Sequence, residues 1–227
     1  MLNYRPRDHR TLASRDAEAK VVTLSASGLV LGLGGGPLRL ASNIVNLNLE
    51  PFENVDIVGD AHRLPLESSS VDGVHCEAVF EHLDDPALAA AEMFRVMKPD
   101  AIAYVCTPFM QAFHGYPSHF QNFTNLGHRR LFERAGFDVL ECGVCVGPGW
   151  AVGGVVATFI AQYTPRPLKW PARAACYVIN NLLVRPLDRW LSSRPDAYVL
   201  ASTTYVLISK PRDPQTDPGR TSYVMSS

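Results

Sequence analysis

A run of small residues, Gly32-Leu33-Gly34-Gly35-Gly36-Pro37, closes an apolar stretch at Leu29–Leu33. Small residues at such a turn let a backbone approach a ligand closely and expose amide groups to an anion. The dinucleotide fingerprint G-x-G-x-x-G is not met, because Pro37 stands three residues after Gly34. No tyrosine is followed by lysine four residues later, which argues further against a short-chain dehydrogenase. His114 and His119 lie in an aromatic stretch, Phe109–Asn125. Histidine is the usual base near neutral pH, so both are candidates for proton transfer. His114, His119 and His128 do not make a compact metal-ligand spacing, and Cys142-x-x-Cys145 stands alone, so no metal is expected.

The elements that must position these residues alternate between short apolar runs and helical stretches, the mark of an α/β domain. Strands are expected at Leu29–Leu33, Ile44–Leu49, Val55–Val58, Val71–Cys76, Ile102–Cys106, Phe137–Val146 and Ala201–Ser209. A helix opens at Asp85-Pro86, with Asp85 as cap and Pro86 in the first turn, and ends at Lys98-Pro99. Glu81 and His82 are expected to cap or brace that helix, and Glu92 and Arg95 to pair on its surface. A second helix covers Leu126–Ala135, and Arg173–Leu191 reads as helical with a break or kink at Pro186. The seven residues Pro37–Asn43 leave room for one helical turn at most between the first two strands. The pattern is a doubly wound, Rossmann-like, mostly parallel sheet with a helical insertion before the last strand, whose ligands bind at the carboxyl ends of the strands. Residues 1–24 read as a lead-in, 25–210 as the domain with its insertion at about 148–195, and 211–227 as a polar, disordered tail.

Composition narrows the classes. The chain is 47% hydrophobic and 19% charged with net charge −1, which suits a globular protein and gives no global field for nucleic acid. Five scattered cysteines, an odd number, suggest reduced thiols, and MLNYRPRDHR has no apolar segment of the secretory kind, so a cytoplasmic location is expected. Gly143–Tyr163 carries no charge, but its many glycines favour a buried or interfacial helix over a membrane span. Residues 164–195 carry +5 against −6 for the rest of the chain, with Tyr177, Ile179, Leu183, Leu187, Trp190 and Leu191 at roughly helical spacing. Such a segment can lie on an anionic membrane surface or close over the domain as a helical lid.

The most specific signal is a series in order: Val55-Asp56-Ile57-Val58-Gly59-Asp60-Ala61-His62-Arg63-Leu64-Pro65-Leu66, Ser70-Val71-Asp72-Gly73-Val74-His75-Cys76, Phe80-Glu81-His82-Leu83-Asp84-Asp85-Pro86, and Glu92-Met93-Phe94-Arg95-Val96-Met97-Lys98-Pro99. It resembles the class I S-adenosylmethionine-dependent methyltransferases, in particular a type 11 branch found with bacterial cell-surface glycan enzymes, over about Val30–Gly136. The resemblance implies S-adenosylmethionine as cofactor, with Gly34 and Gly36 beneath its methionine part. It puts Asp60 on the adenine amino group, the Ala61 backbone on the ring, and Cys76 and Glu77 beside the transferring methyl. It implies methylation of a small-molecule or glycan- or lipid-linked acceptor, with His114 and His119 in the acceptor-side loop and His114 as the base that would take a proton from a hydroxyl acceptor. Asp100-Ala101 stand where the pattern has Gly-Gly after Lys98-Pro99, and four further positions depart from it. Gly32 stands for an acid, Asn48 for the acid that would hold the ribose, and His119 and Asn122 for an Asp and an Arg. These departures leave a second expectation open, a protein that keeps the fold as a binding or scaffold module.

Overall fold

The computed structural model describes residues 9–36, 39–115 and 118–212. Seven strands, β1 (Val30–Leu33), β2 (Ile44–Asn48), β3 (Ile57–Val58), β4 (Val71–Glu77), β5 (Met97–Pro108), β6 (Asp138–Val146) and β7 (Thr203–Ser209), form one sheet in the order β3-β2-β1-β4-β5-β7-β6. β7 runs antiparallel to both its neighbours, and the other pairings are parallel. β1 sits near the centre because all four of its residues are apolar or glycine and are buried, as a strand covered on both faces requires. The carboxyl ends of β1 to β4 therefore lie along one edge, with the β1–β4 register bringing Leu33 opposite Cys76.

Helices cover the two faces unequally. On one face lie α2 (Pro86–Val96) and α3 (Asn125–Arg134), which bury Met93, Phe132, Phe80 and Val206 against the sheet. Asp85 caps α2 as expected, accepting from Leu88 N at 3.0 Å, and Thr124 caps α3 through Gly127 N at 3.0 Å. The other face is closed by α1 (Leu12–Leu24), whose Ala17 and Val21 are fully buried among Val30, Ile44, Tyr104 and Leu207. Residues 12–24 are thus part of the core and no mere lead-in. Ser14 packs its hydroxyl 2.7 Å from that of Tyr104, and Glu18 meets His75 at 2.9 Å and Arg10 at 2.7 Å. Burial pushes the Glu18 carboxyl up, but His75 and Arg10 together outweigh it and hold the group below the usual range. No helix joins β1 to β2 among the described residues, in keeping with the short spacing.

After β6 the chain forms α4 (Pro148–Tyr163), α5 (Arg166–Ile179), a π-turn (Asn180–Val184) and α6 (Arg185–Ser192). Helix starts at Arg166 rather than Arg173, and the break expected at Pro186 takes the form of the π-turn that ends just before it. Pro186 sits in the first turn of α6, directly after that π-turn, and has no N–H to give to the carbonyl one turn back. Among the described residues, no helix is long and apolar enough to cross a membrane. Residues 213–227, expected to be a tail, lie outside the described residues. All five cysteines carry free thiols, as their scattered placement suggested.

Candidate functional site

The glycine turn begins where β1 ends. Gly34 adopts φ +76, a conformation that L side chains rarely take, and a Cβ there would overlap Val79. Its N–H donates to Leu47 O at 2.8 Å, tying the turn to β2. Gly36 has open space where a side chain would be, with no described residue beyond its chain neighbours within 4 Å. The departure at Gly32 has a physical reason. The side chain of Asn46, opposite it on β2, fills the volume a Cβ would need, and its Nδ2 donates to Asn54 O at 3.0 Å. Asn48 braces the same turn: its Nδ2 lies 3.2 Å from both Gly34 O and Gly35 O, and its Oδ1 accepts from Glu50 N at 3.3 Å. That amide is committed within the loop.

Asp60 follows β3 and is held in an Asx turn. Its Oδ1 accepts from His62 N at 2.9 Å and lies 2.7 Å from His62 Nδ1. The backbone N–H of His62 chiefly holds the carboxyl below its ordinary range, so Asp60 presents a charged group, half-exposed, at the strand edge. Ala61, beside it, is buried against the core. The loop that carries both is clamped from α2. Arg95 donates to Leu64 O at 3.0 Å and Leu66 O at 2.9 Å, and Glu92 accepts from Leu64 N at 2.9 Å while pairing with Arg95 at 2.7 Å. The expected helix-surface pair is therefore a staple between α2 and the Asp60 loop. Neither residue's type nor its spacing announces that role.

At the end of β4, alternation separates the two residues expected beside the transferring group. Cys76 is fully buried in the core, and desolvation raises its thiol well above the usual range, so its side chain is inert and only its backbone borders the edge. Glu77 points to the other face, half-exposed and 3.9 Å from Arg10. A cleft of about 1160 Å³ opens next to Arg10, lined also by Trp150, Asp188, Arg189 and Ser192. Asp188, buried, accepts from Gly149 N at 2.7 Å and fastens α6 to the start of α4.

The 3₁₀ turn Phe80–His82 and the loop after β5 meet beyond β4. Phe120 N donates to Glu81 O at 2.8 Å, and Gln121 Nε2 to Leu83 O at 2.8 Å. Glu81 is fully buried, neither of its carboxylate oxygens has a hydrogen-bond partner among the described residues, and burial pushes its carboxyl up to about 7. It does not brace α2, whose cap is Asp85. Instead His82 Nε2 and His114 Nε2 face its Oε1 at 3.7 and 3.9 Å. His114 is partly exposed and its Nδ1 lies 3.0 Å from Ala112 O. His119 meets Asn122 Oδ1 at 2.7 Å, so the altered pair of residues still makes a polar contact. The structure thus gathers Gly34, Gly36, Asn48, Asp60, Glu77 and His114 along one sheet edge, and adds Glu81, His82 and the Glu92–Arg95 staple.

Residues 38–105 match the protein family described as "Methyltransferase domain". A "probable S-adenosylmethionine-dependent methyltransferase" of Mycolicibacterium smegmatis is 36% identical over 108 residues, 44% of this chain and 42% of that protein. An uncharacterized 37.1 kDa protein in a transposon of Streptomyces fradiae is 36% identical over 76 residues, 34% of this chain and 22% of that one. The fold is that of a class I S-adenosylmethionine-dependent methyltransferase. Among solved structures, an S-adenosylmethionine-dependent methyltransferase from Mesorhizobium loti aligns with TM-score 0.50 at 12% identity, over 86% of this chain and 96% of that one. The [4+2]-cyclase SpnF aligns with TM-score 0.56 at 16% identity, over 92% and 86%. The chain spans less than half the length of either curated relative. S-adenosylmethionine is the cofactor of this methyltransferase class, and the residues present fit it. Gly36 leaves an open approach, and Asp60 offers a charged acceptor next to a small neighbour.

Proposed function

We propose that this chain transfers a methyl group from S-adenosylmethionine to a small-molecule or glycan- or lipid-linked acceptor. The observation that carries the reading is the convergence, on one carboxyl edge, of the open Gly34–Gly36 turn and the ionised Asp60 with the histidine-bearing loop around His114. The bound cofactor would supply an electrophilic methyl group on a sulfonium centre. For the chain itself the work is alignment and exclusion of water, since an in-line displacement needs little else from the protein. Asp60 would orient the adenine amine, the Gly34–Gly36 backbone would border the methionine part, and Glu77 would stand next to the reacting centre. The acceptor's proton would leave on the His114 side. Calorimetric titration with S-adenosylhomocysteine tests the cofactor half: micromolar binding is expected, and a folded chain that shows none would replace this reading with that of a scaffold protein.

The helical insertion supports an acceptor met at a membrane surface. Phe159, Tyr163, Trp170, Tyr177, Leu182 and Trp190 are exposed on α4 to α6. Arg166, Lys169, Arg173, Arg189 and Arg194 accompany them, while the acid Asp188 is buried. Exposed tryptophans among basic residues suit the headgroup boundary of anionic lipid, where each basic residue near the surface contributes about 1 kcal/mol. The chain should co-float with vesicles containing phosphatidylglycerol and not with phosphatidylcholine alone. The double substitution Trp170→Glu and Trp190→Glu should weaken that partition by at least about tenfold. Equal behaviour towards the two vesicle types would remove the membrane from the proposal.

A further inference from the structure

The Glu81 recess contains three electron-pair donors facing one another. His82 Nδ1 hydrogen-bonds Ser118 O, and His114 Nδ1 lies 3.0 Å from Ala112 O. A carbonyl oxygen only accepts, so in each neutral ring the proton sits on Nδ1 and Nε2 keeps its lone pair. Both Nε2 atoms point at Glu81 Oε1, at 3.7 and 3.9 Å, too far for hydrogen bonds. The three side chains each place one ligand atom within 4.8 Å of the others. The carboxylate is fully buried, and among the described residues no donor satisfies either oxygen. Such an arrangement is costly unless something positive lies between the donors.

It also has the features of a metal site. Ligating histidines characteristically donate their second ring nitrogen to a backbone carbonyl, as both do here. Two imidazoles with one carboxylate suit zinc and neighbouring first-row divalent ions rather than magnesium or calcium. Ligands of a tetrahedral zinc are roughly 3.4 Å apart, so small ring movements would close the set. The ligand-bearing turn and loop are already joined by Phe120 N to Glu81 O and by Gln121 to Leu83 O. His119 braces His114 from outside: its Nδ1 accepts from His114 N at 3.1 Å and its Nε2 donates to Asn122 Oδ1, which uses both nitrogens. A second group of this kind, Glu18, His75 and Glu77, already has a fixed cation in Arg10, at 2.7 Å from Glu18 and 3.9 Å from Glu77.

We propose that Glu81, His82 and His114 form a three-ligand site for a zinc-like divalent cation, open on the His114 side to a fourth ligand. Nothing in the ligand geometry depends on methyl transfer. Its use in catalysis does rest on the function proposed above, where the open position would take the acceptor's oxygen and make its proton easier to lose. In that arrangement His114 meets the acceptor through the cation.

The test is titration of the chelator-treated full chain with cobalt(II), followed by its visible d–d absorption, and with zinc(II) by calorimetry. One equivalent per chain is expected, with the intense bands of a four-coordinate centre. Glu81→Gln and His114→Ala should each weaken binding by at least about 100-fold, beyond the 10–100-fold typical of outer-shell losses. His114 is partly exposed, so its variant keeps the fold testable if burial makes the Glu81 variant unstable. Absence of stoichiometric binding, or binding unchanged in His114→Ala, would overturn the site and leave a proton as the charge between these groups. S-adenosylhomocysteine titration of the same samples separates the two proposals. Cobalt binding without cofactor binding would retain the metal site and reject the methyltransferase reading, and the converse result would do the reverse.

Discussion

Asp60→Ala should weaken S-adenosylhomocysteine binding by about 10- to 100-fold, the equivalent of one charge-assisted hydrogen bond of roughly 1.5–3 kcal/mol. The carboxylate is ionised at neutral pH because the His62 backbone N–H holds it low, so an amine donor placed there would find a full negative charge. The substitution should leave the thermal midpoint almost unchanged, since the Asp60 side chain is 53% exposed and its hydrogen bonds are confined to His62. Calorimetry on the parent and the variant separates loss of a contact from loss of the fold. Equal affinities would mean that the adenine lies elsewhere, and would detach Asp60 from the cofactor.

The second large effect is on stability against pH, through a residue far from that chemistry. His128 of α3 is fully buried, with Nδ1 at 3.2 Å from Thr107 Oγ1 and 3.1 Å from Thr204 Oγ1, between the rings of Phe123 and Phe132. Its Nε2 has no partner among the described residues, and desolvation lowers its pKa from 6.5 to about 3. Above pH 6.5 folded and unfolded chains both carry the neutral ring. Below it the unfolded chain takes up a proton that the folded chain refuses until about pH 3, so stability falls as pH falls through that window. The loss from this one group should be about 2 kcal/mol at pH 5 relative to pH 8. Urea unfolding at the two pH values should show it in the parent, and His128→Gln should lack it while being less stable at pH 8. If the variant lost as much stability on acidification as the parent, His128 would not be the titrating group.

Much of the fold is legible because its rules are local. Apolar runs punctuated by glycine and proline place the strands to within a few residues, and Asp85-Pro86 marks the start of α2 because a cap needs only its own first turn. The reading fails where a partner distant in sequence decides. Helix-compatible residues 12–20 gave no sign that α1 would seal a sheet face, since Ala17 and Val21 alone make a weak stripe. Glu92 and Arg95 looked like a surface pair because the backbone groups they bind, the N–H of Leu64 and the carbonyls of Leu64 and Leu66, lie about thirty residues away.

The same division runs through the candidate site. That Gly34, Gly36 and Asp60 lie on the carboxyl edge was legible because each stands in a turn that directly follows a strand. Gly32 looked like the loss of an acid; only the pairing of β1 with β2 reveals Asn46 occupying its place. Glu81 and His82 read as helix bracing, and His114, 32 residues on, as a candidate base rather than a metal ligand. The sequence by itself determined the sheet, its order of turns and the edge where a cofactor can lie, because those depend on hydrophobic periodicity and on residues adjacent in the chain. Only the tertiary structure decided that a buried carboxylate and two imidazole lone pairs converge next to that edge. Electrostatic convergence is a property of distances between β4 and β5 connections, which no spacing along the chain encodes.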